Sequence, residues 1–460
     1  MGTRTGRGVV LAAGLGSGMA FLDGSVVNVA LKRLGQDLGA SLAELQWITN
    51  GYLLSLASLI LLGGSLGDRF GRRRMFVVGT AWFALASLLC GLAPNPEVLI
   101  LARVLQGIGG ALLTPGSLAM IQGAFVSSDR PTAIGAWTGL TSVAIALGPF
   151  IGGSLVDYAS WRWIFLINLP LAVAAIWCAV RYVPETRDPR ASTHFDLTGA
   201  VTATVALGGV TYALIEWQGR LASYAAGLAL LAAVLFVLAE RRESEPMLRL
   251  EIFADRTFSA ANLMTLLVYA ALGAALWFAT LQLQTVSGWS ALEAGLASFP
   301  ITLCMIFLSA RGGRIGARIG PRIPMTVGPV VMGASCLLLL SIGEDVNVFL
   351  DVLPGMTLFG LGLALMVAPL TATVLAAAPD EHAGIASGVN NAVARAGSLL
   401  AVAALPVAVG LGGDDYAQPA VFDDGYRLAM LTCAVLLVVG GIVSWLTIRN
   451  RVLEEEGPIL

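Results

Sequence analysis

Gly63-Gly-Ser-Leu-Gly-Asp-Arg-Phe-Gly-Arg-Arg73 returns as Gly312-Gly-Arg-Ile-Gly-Ala-Arg-Ile-Gly-Pro-Arg322. The offset is 249 residues (312 − 63), six of the eleven positions are identical, and two more exchange one apolar residue for another. Each copy sits between two long apolar runs. A short basic loop repeated at this distance describes a membrane protein assembled from two similar halves.

Composition agrees. Of 460 residues, 57% are hydrophobic and 12% charged, where a soluble domain carries about twice that charge fraction. Mean hydropathy is +0.81. No room is left for a sizeable soluble domain: the longest polar stretches are Pro184–Asp196, Glu240–Arg256 and Gly412–Gly425. A net charge of −2 gives no support to a nucleic-acid partner. The five cysteines, Cys90, Cys178, Cys304, Cys336 and Cys433, all fall inside apolar runs. None has metal-knuckle spacing or an outer-loop position suited to a disulfide, so they read as small buried hydrophobes, and no metal or cofactor is expected. The basic start Met1–Arg7 precedes an apolar run from Val9 to about Leu31, too long for a signal-peptide core, so it reads as a retained first span. Lys32 is the one lysine, set between Leu31 and Arg33. A Walker-type phosphate loop needs Gly-Lys followed by Ser or Thr, so the chain cannot hydrolyse ATP that way. If it pumps, an ion gradient or another subunit drives it.

A span needs about 20 mostly apolar residues. That window gives fourteen spans: roughly 8–31, 46–66, 75–93, 98–125, 132–156, 163–183, 197–216, 222–239, 258–285, 291–310, 323–342, 348–376, 383–411 and 427–448. With a cytoplasmic N-terminus, the inner segments collect twenty arginines and the outer ones five basic residues, Lys32, Arg33, Arg162, Arg220 and Arg427; Arg103 and Arg395 lie within spans. That bias satisfies the positive-inside rule and puts both termini in the cytoplasm. Trp47, Trp161, Trp163, Trp217 and Trp289 fall near the outer interface, where aromatic belts form. Ser41-Leu-Ala-Glu44 and Ser290-Ala-Leu-Glu293 have the form of capping boxes opening spans two and ten.

The repeated loops follow spans two and ten, eight spans apart. Two six-helix halves would put them six apart, so two helices have been added, and spans seven and eight are the natural place. The expected fold is an all-α polytopic membrane protein of fourteen transmembrane helices arranged six plus two plus six. Its parts are 1–183, an N-terminal six-helix bundle; 184–256, two inserted helices with cytoplasmic linkers; and 257–460, a C-terminal six-helix bundle. Internal duplication of this kind recurs among secondary transporters.

Two intramembrane charges carry the chemistry. Asp23 lies past the middle of span one. A carboxylate there costs ~3 kcal/mol or more, and such residues are functional sites by default. The work would be proton binding, because burial disfavours the charged form of a carboxyl group. The structural alternative is a hydrogen bond within the bundle, to Asn28 or to a neighbouring helix. Arg103, near the start of span four, needs a partner or water; its alternative is snorkelling to the outer interface. Gln106 is one helical turn away.

Several stretches, in order, resemble the major facilitator superfamily, and most closely its fourteen-span drug:proton antiporter branch (QacA/EmrB-like). They are Leu22-Asp-Gly-Ser-Val-Val-Asn-Val-Ala-Leu31, the loop Gly64–Arg74, Arg103-Val-Leu-Gln-Gly-Ile-Gly-Gly-Ala111, Gly139 with Gly148-Pro-Phe-Ile-Gly-Gly153, and Trp161-Arg-Trp-Ile-Phe-Leu-Ile-Asn-Leu-Pro170. The resemblance implies that Arg103 communicates with Asp23 and that the pair couples proton uptake and release to alternating access. In the loop, Gly64, Asp68, Arg69, Gly71, Arg72 and Arg73 would latch a cytoplasmic gate between the halves, or the arginines set topology alone; the second copy replaces Asp68 with Ala317. The resemblance implies that Gly139, Gly148, Pro149, Gly152 and Gly153 form the pattern that marks antiporters and exporters in the family; an ordinary packed, kinked span is the alternative. Pro149 lacks an N–H and frees a carbonyl one turn earlier, and the glycines permit close helix contact. Asn390, Asn391 and Arg395 lie in span thirteen, which lines the cavity in this fold; substrate contact and interhelical packing both stay open for them.

The resemblance implies a proton-coupled exporter of small amphiphilic drugs or metabolites, monomeric, in the plasma membrane, with a lipophilic small molecule and protons as its partners. A dedicated exporter of one metabolite or antibiotic is the alternative. A non-transporting receptor is the competitor from another class, and it lacks a sensory domain. An enzyme is unsupported: His194 and His382 lie in loops with no Ser or Cys partner, and no His-Glu-x-x-His occurs. Glu293 is the only acid of span ten and reads as a helix cap, which favours monovalent or neutral substrates over dications.

Overall fold

The computed structural model describes residues 3–126, 129–187, 196–243, 246–378 and 383–450; His194 and His382 lie outside them. Every regular element among the described residues is helical. Among the described residues, fourteen helices are long and apolar enough to cross a membrane: α1 Arg4–Leu38, α2 Leu42–Phe70, α3 Arg72–Leu92, α4 Pro96–Ala124, α5 Thr132–Tyr158, α6 Trp163–Tyr182, α7 Leu197–Ile215, α8 Ala222–Arg242, α9 Arg256–Thr285, α10 Ala291–Ile319, α11 Arg322–Ser341, α12 Val348–Ala376, α13 Gly384–Ala408 and α14 Pro419–Thr447.

Local chemistry sets the helix ends. Ser41 and Glu44 exchange the two hydrogen bonds of a capping box at the start of α2, and Ser290 and Glu293 do the same at α10, with Ser290 N donating to Glu293 Oε2 at 2.8 Å. Asn95 caps α4 just ahead of Pro96, where the missing N–H of proline costs nothing.

Two ends differ from the expectation. Lys32 and Arg33, placed in an outer loop by the hydropathy window, lie within α1, where Arg33 pairs with Asp37 one turn on at 3.0 Å. The fourteenth helix begins at Pro419, inside a stretch that reads as polar loop. Asp423 is satisfied in place: it pairs with Arg427 at i,i+4 and also accepts from Gln282 of α9. Tyr426, fully buried, donates to the Leu339 carbonyl at 2.8 Å. Hydropathy averaged over a window misses such pairing.

The chain forms two compact units. The first holds Met1–Leu248 with Ser290–Gly295; the second holds Arg249–Trp289 with Leu296–Leu460. In the first, α2 and α3 pack on α4, α1 packs on α5 and α6, and α3 packs on α6. In the second, α10 and α11 pack on α12, α9 on α13 and α14, and α11 on α14. Each pairing of the second unit is one of the first with every helix number raised by eight. The duplication seen in one loop therefore extends to the packing of the whole bundle. The two helices outside this correspondence, α7 and α8, pack on each other, and α7 also packs on α2.

Candidate functional site

The site grows from a break in α6. Its helical turns run Trp163–Leu166 and then Asn168–Tyr182. Pro170 has no N–H to offer the preceding turn, so continuity is lost there. Just upstream, Trp161 is buried and Arg162 binds the end of α3, donating to the carbonyls of Gly91 at 2.9 Å and Ala93 at 2.8 Å. This anchorage holds Asn168, itself fully buried, against α1 and α3.

Asp23 and Arg103 meet in the interior of the first unit. They form an ion pair through Arg103 Nη1 and Asp23 Oδ2, with Arg103 1% exposed and Asp23 0%. Asp23 Oδ1 accepts from Gln106 Nε2 at 2.8 Å and from Asn168 Nδ2 at 3.1 Å. The second N–H of each amide goes to Ser87 Oγ, at 2.7 and 3.2 Å. Arg103 Nε donates to the Ile48 carbonyl at 3.1 Å, and the guanidinium lies over the rings of Tyr52 and Phe165. Gln106 Oε1 accepts from Arg103 Nη1 and from Cys90 Sγ. The carboxylate thus faces three N–H donors, and the guanidinium has a carboxylate, a carbonyl and two aromatic faces. A buried charge pair survives only when its remaining bonding capacity is met in this way.

Of the expected residues, Asp23, Arg103 and Gln106 come together. Arg103 does not snorkel: it is sequestered with its partner. Asn28 is outside the cluster, half-buried, and its Oδ1 makes no hydrogen bond among the described residues. Three members were not anticipated, Ser87, Asn168 and the Cys90 thiol. Asn168 sits in the quoted stretch Trp161–Pro170, and a lone asparagine in an apolar run was the signal available.

The α5 glycines lie beside this cluster. A Cβ on Gly148 would stand 2.0 Å from Ser25 Oγ, and one on Gly152 would stand 2.9 Å from Val26 Cβ. They bring α5 onto α1 two and three residues past Asp23. Gly153 packs in the same way on the Leu292 backbone, and the Pro149 carbonyl lies against Gly295. Nearby, Asp157 accepts from the N–H groups of Ala291 and Leu292. Gly139 has open space instead, where it lines a cavity of about 570 Å³ with Arg7, Val10, Leu11, Ala136, Leu140 and Val143.

In the first loop copy, Asp68 pairs with Arg72 one turn on at 2.8 Å, and Gly64 rests on Pro115 of α4. Arg69 lies over the Phe70 ring. Gly71 has φ 113°, which side-chain-bearing residues rarely adopt. Glu185 accepts from the N–H groups of Arg73 at 3.1 Å and Arg74 at 3.2 Å, and Arg73 reaches the Val183 carbonyl. In the second copy, Gly320 has φ 84° and Asn450 Oδ1 accepts from Arg322 N at 3.3 Å. Neither Glu185 nor Asn450 was anticipated.

In α13, Asn390 donates to Asn262 Oδ1 at 3.1 Å and Thr265 Oγ1 at 2.8 Å, which is a packing contact with α9. Asn391 is exposed and bonds back to the Ser387 carbonyl. Arg395 is half-buried, near Tyr269 of α9.

Residues 13–402 match the model of the Major Facilitator Superfamily. The chain belongs to that superfamily. It is 36% identical over 408 residues to the multidrug resistance protein Stp of Mycobacterium tuberculosis (strain CDC 1551 / Oshkosh), covering 87% of this chain and 75% of that one. It is also 36% identical over 404 residues to the tetracenomycin C resistance and export protein of Streptomyces glaucescens, covering 86% and 75%. Among solved structures it resembles a bacterial homologue of the human lysosomal transporter Spinster, with TM-score 0.70, 17% identity and 99% of both chains covered. That likeness concerns the fold. A superfamily member with fourteen apolar helices is a multi-pass membrane protein, built as a transporter.

Proposed function

We propose that this chain is a proton-coupled secondary active exporter of small amphiphilic compounds. It works by alternating access of two six-helix bundles, 1–183 and 257–460, with 184–256 carrying the two added helices. It sits in the plasma membrane as a monomer with both termini cytoplasmic. Asp23 binds the transported proton, and Arg103 competes with that proton for the carboxylate. The loop Gly64–Arg74 latches the inner gate, and the Gly148–Gly153 segment holds α5 on α1.

The observation that supports this reading is the buried Asp23–Arg103 pair with its donors. Removing two charges from water is costly, and a purely structural need would be met as well by apolar side chains. A carboxylate and a guanidinium that separate and rejoin give the protein two charge states of one site, which is what a proton-driven cycle needs. The names of the relatives, one a multidrug resistance protein and one an export protein for tetracenomycin C, support export of lipophilic molecules. The second also favours a narrower reading, a dedicated exporter of one antibiotic.

The test uses inside-out vesicles holding an acid interior. Adding a transported compound should release protons from wild-type vesicles and none from Asp23→Asn vesicles. Proton release by a well-expressed Asn variant would remove Asp23 from this role. A panel of dyes and antibiotics then separates broad from dedicated export.

A further inference from the structure

We propose that Asn168 is the positioning residue that holds Asp23 in both of its protonation states, donating to the carboxylate and, after its amide turns over, accepting from the carboxylic acid. This rests on the reading of Asp23 as the group that takes the transported proton.

The surroundings of Asp23 suit the ionised form only. Arg103, Gln106 and Asn168 all present N–H groups to it. A protonated carboxyl has an O–H that must find an acceptor, since a buried donor left unpaired costs about 1–3 kcal/mol. Arg103 has no acceptor to give. The acceptor of Gln106 is already occupied by Arg103 Nη1 and Cys90 Sγ. Asn168 is the exception: its Oδ1 is buried and makes no hydrogen bond among the described residues. One of the three side chains that donate to the carboxylate therefore carries an idle acceptor on the same group.

A half-turn of the amide exchanges the two ends. Before it, Nδ2 donates to Asp23 Oδ1 and to Ser87 Oγ. After it, Oδ1 accepts from the Asp23 O–H and from the Ser87 O–H. A serine hydroxyl both donates and accepts, and Ser87 keeps its bond from Gln106 Nε2. The two bonds from Nδ2 are broken and two to Oδ1 are made, and the amide N–H groups take the buried place that Oδ1 leaves. The proton added to Asp23 is the only change in composition. In the reverse mismatch, Oδ1 facing the ionised carboxylate, oxygen would meet oxygen, so each amide orientation belongs to one protonation state. The break in α6 places Asn168 at the first position of a helical segment, outside the regular ladder of the preceding turn. Asn168 thereby links the proton on α1 to a discontinuity in α6.

The experiment is infrared difference spectroscopy of the full-length protein in liposomes, taken across a pH titration. It uses protein whose asparagine side-chain carbonyls carry ¹³C and protein that is unlabelled. The wild type should show a carboxylic C=O band that Asp23→Asn removes. It should also show an isotope-shifted asparagine band that changes at the same pH and is lost in Asn168→Gln. In Asn168→Leu the Asp23 band should move to higher frequency, having lost its acceptor, and its pH midpoint should move. If Asp23→Asn removes no band, the reading of Asp23 as proton carrier fails. If that band is present while the asparagine amide stays silent, the proposal for Asn168 fails alone. The labelled wild-type measurement does not depend on any variant folding.

Discussion

Glu185 and Asn450 occupy matching places in the duplicated chain. Each lies three residues past a helix end, Tyr182 for α6 and Thr447 for α14, and each accepts at the start of a helix that follows a repeated glycine, Gly71 or Gly320: Glu185 from the N–H groups of Arg73 and Arg74, Asn450 from that of Arg322. The two glycines are 249 residues apart, the offset of the repeat itself (320 − 71). The first clamp is a carboxylate that also reaches Arg73 at 3.6 Å; the second is a neutral amide.

This difference predicts unequal sensitivity to salt. Losing a capping side chain costs about 1 kcal/mol, and an anion at a helix N-terminus adds up to about 1 kcal/mol that salt screens. Glu185→Ala should lower the unfolding temperature in detergent more at low salt than at high salt. Asn450→Ala should lower it equally at both. Equal behaviour of the two variants would mean that the charge of Glu185 contributes nothing.

Breaking the Asp23–Arg103 pair from one side should be worse than removing both charges. Arg103→Ala leaves an unpaired buried carboxylate, at a cost of about 3–5 kcal/mol. The double variant Asp23→Asn with Arg103→Gln removes the charge problem. Folded yield, judged by gel filtration, should fall in the single variant and recover in the double, while proton release stays absent in both. A double variant that still releases protons would sink the coupling role.

In the loops, Asp68→Asn should slow export several-fold, because it removes the acid that steadies Arg72. Ala317→Asp should change the rate little, since the second copy works without an acid. Initial rates of dye export at matched expression decide this, and an unaffected Asp68→Asn would leave the loop a role in topology alone.

Gly148→Ala should disturb the contact with α1 chiefly through Ser25 Oγ at 2.0 Å, with Ser25 Cβ next at 3.2 Å. Ser25→Ala should therefore rescue Gly148→Ala. It should not rescue Gly152→Ala, which collides with Val26 as far in as its Cα at 3.1 Å. Thermal stability of the two double variants is the readout, with equal rescue the contrary result.

Substrate charge gives a fifth expectation. Asp23 is the acid of the buried cluster, and Glu293 is committed to the Ser290 amide. A second cationic centre would lack a partner, so bis-cationic dyes should be exported less well than matched monocations. Resistance conferred on a pump-deficient host compares them, and better export of the dications would release Glu293 from its capping role.

Much of this was legible in the chain. Fourteen apolar runs, the repeat and both capping boxes are local patterns, and local patterns survive in structure. Asp23 and Arg103 stood out because charge in an apolar run is rare. Asn168, Ser87, Glu185 and Asn450 did not, because their importance lies in contacts across 145 residues for Asn168 to Asp23 and 112 for Glu185 to Arg73. A polar amide or a single acid is unremarkable until its partner is known. The start of α14 was hidden for the same reason: Asp423 reads as loop until Arg427 and Gln282 satisfy it.

The left-handed glycines of the two loops have a consequence for descent. The two copies differ in side chain, Asp68 against Ala317 and Glu185 against Asn450, yet share the backbone turn at 71 and 320. Charge in these loops is the part that can drift, and the bend is the inheritance. Variation among descendants of this chain should therefore spare the two glycines, and reach the side chain at 317 before the acid at 68 that pairs with Arg72.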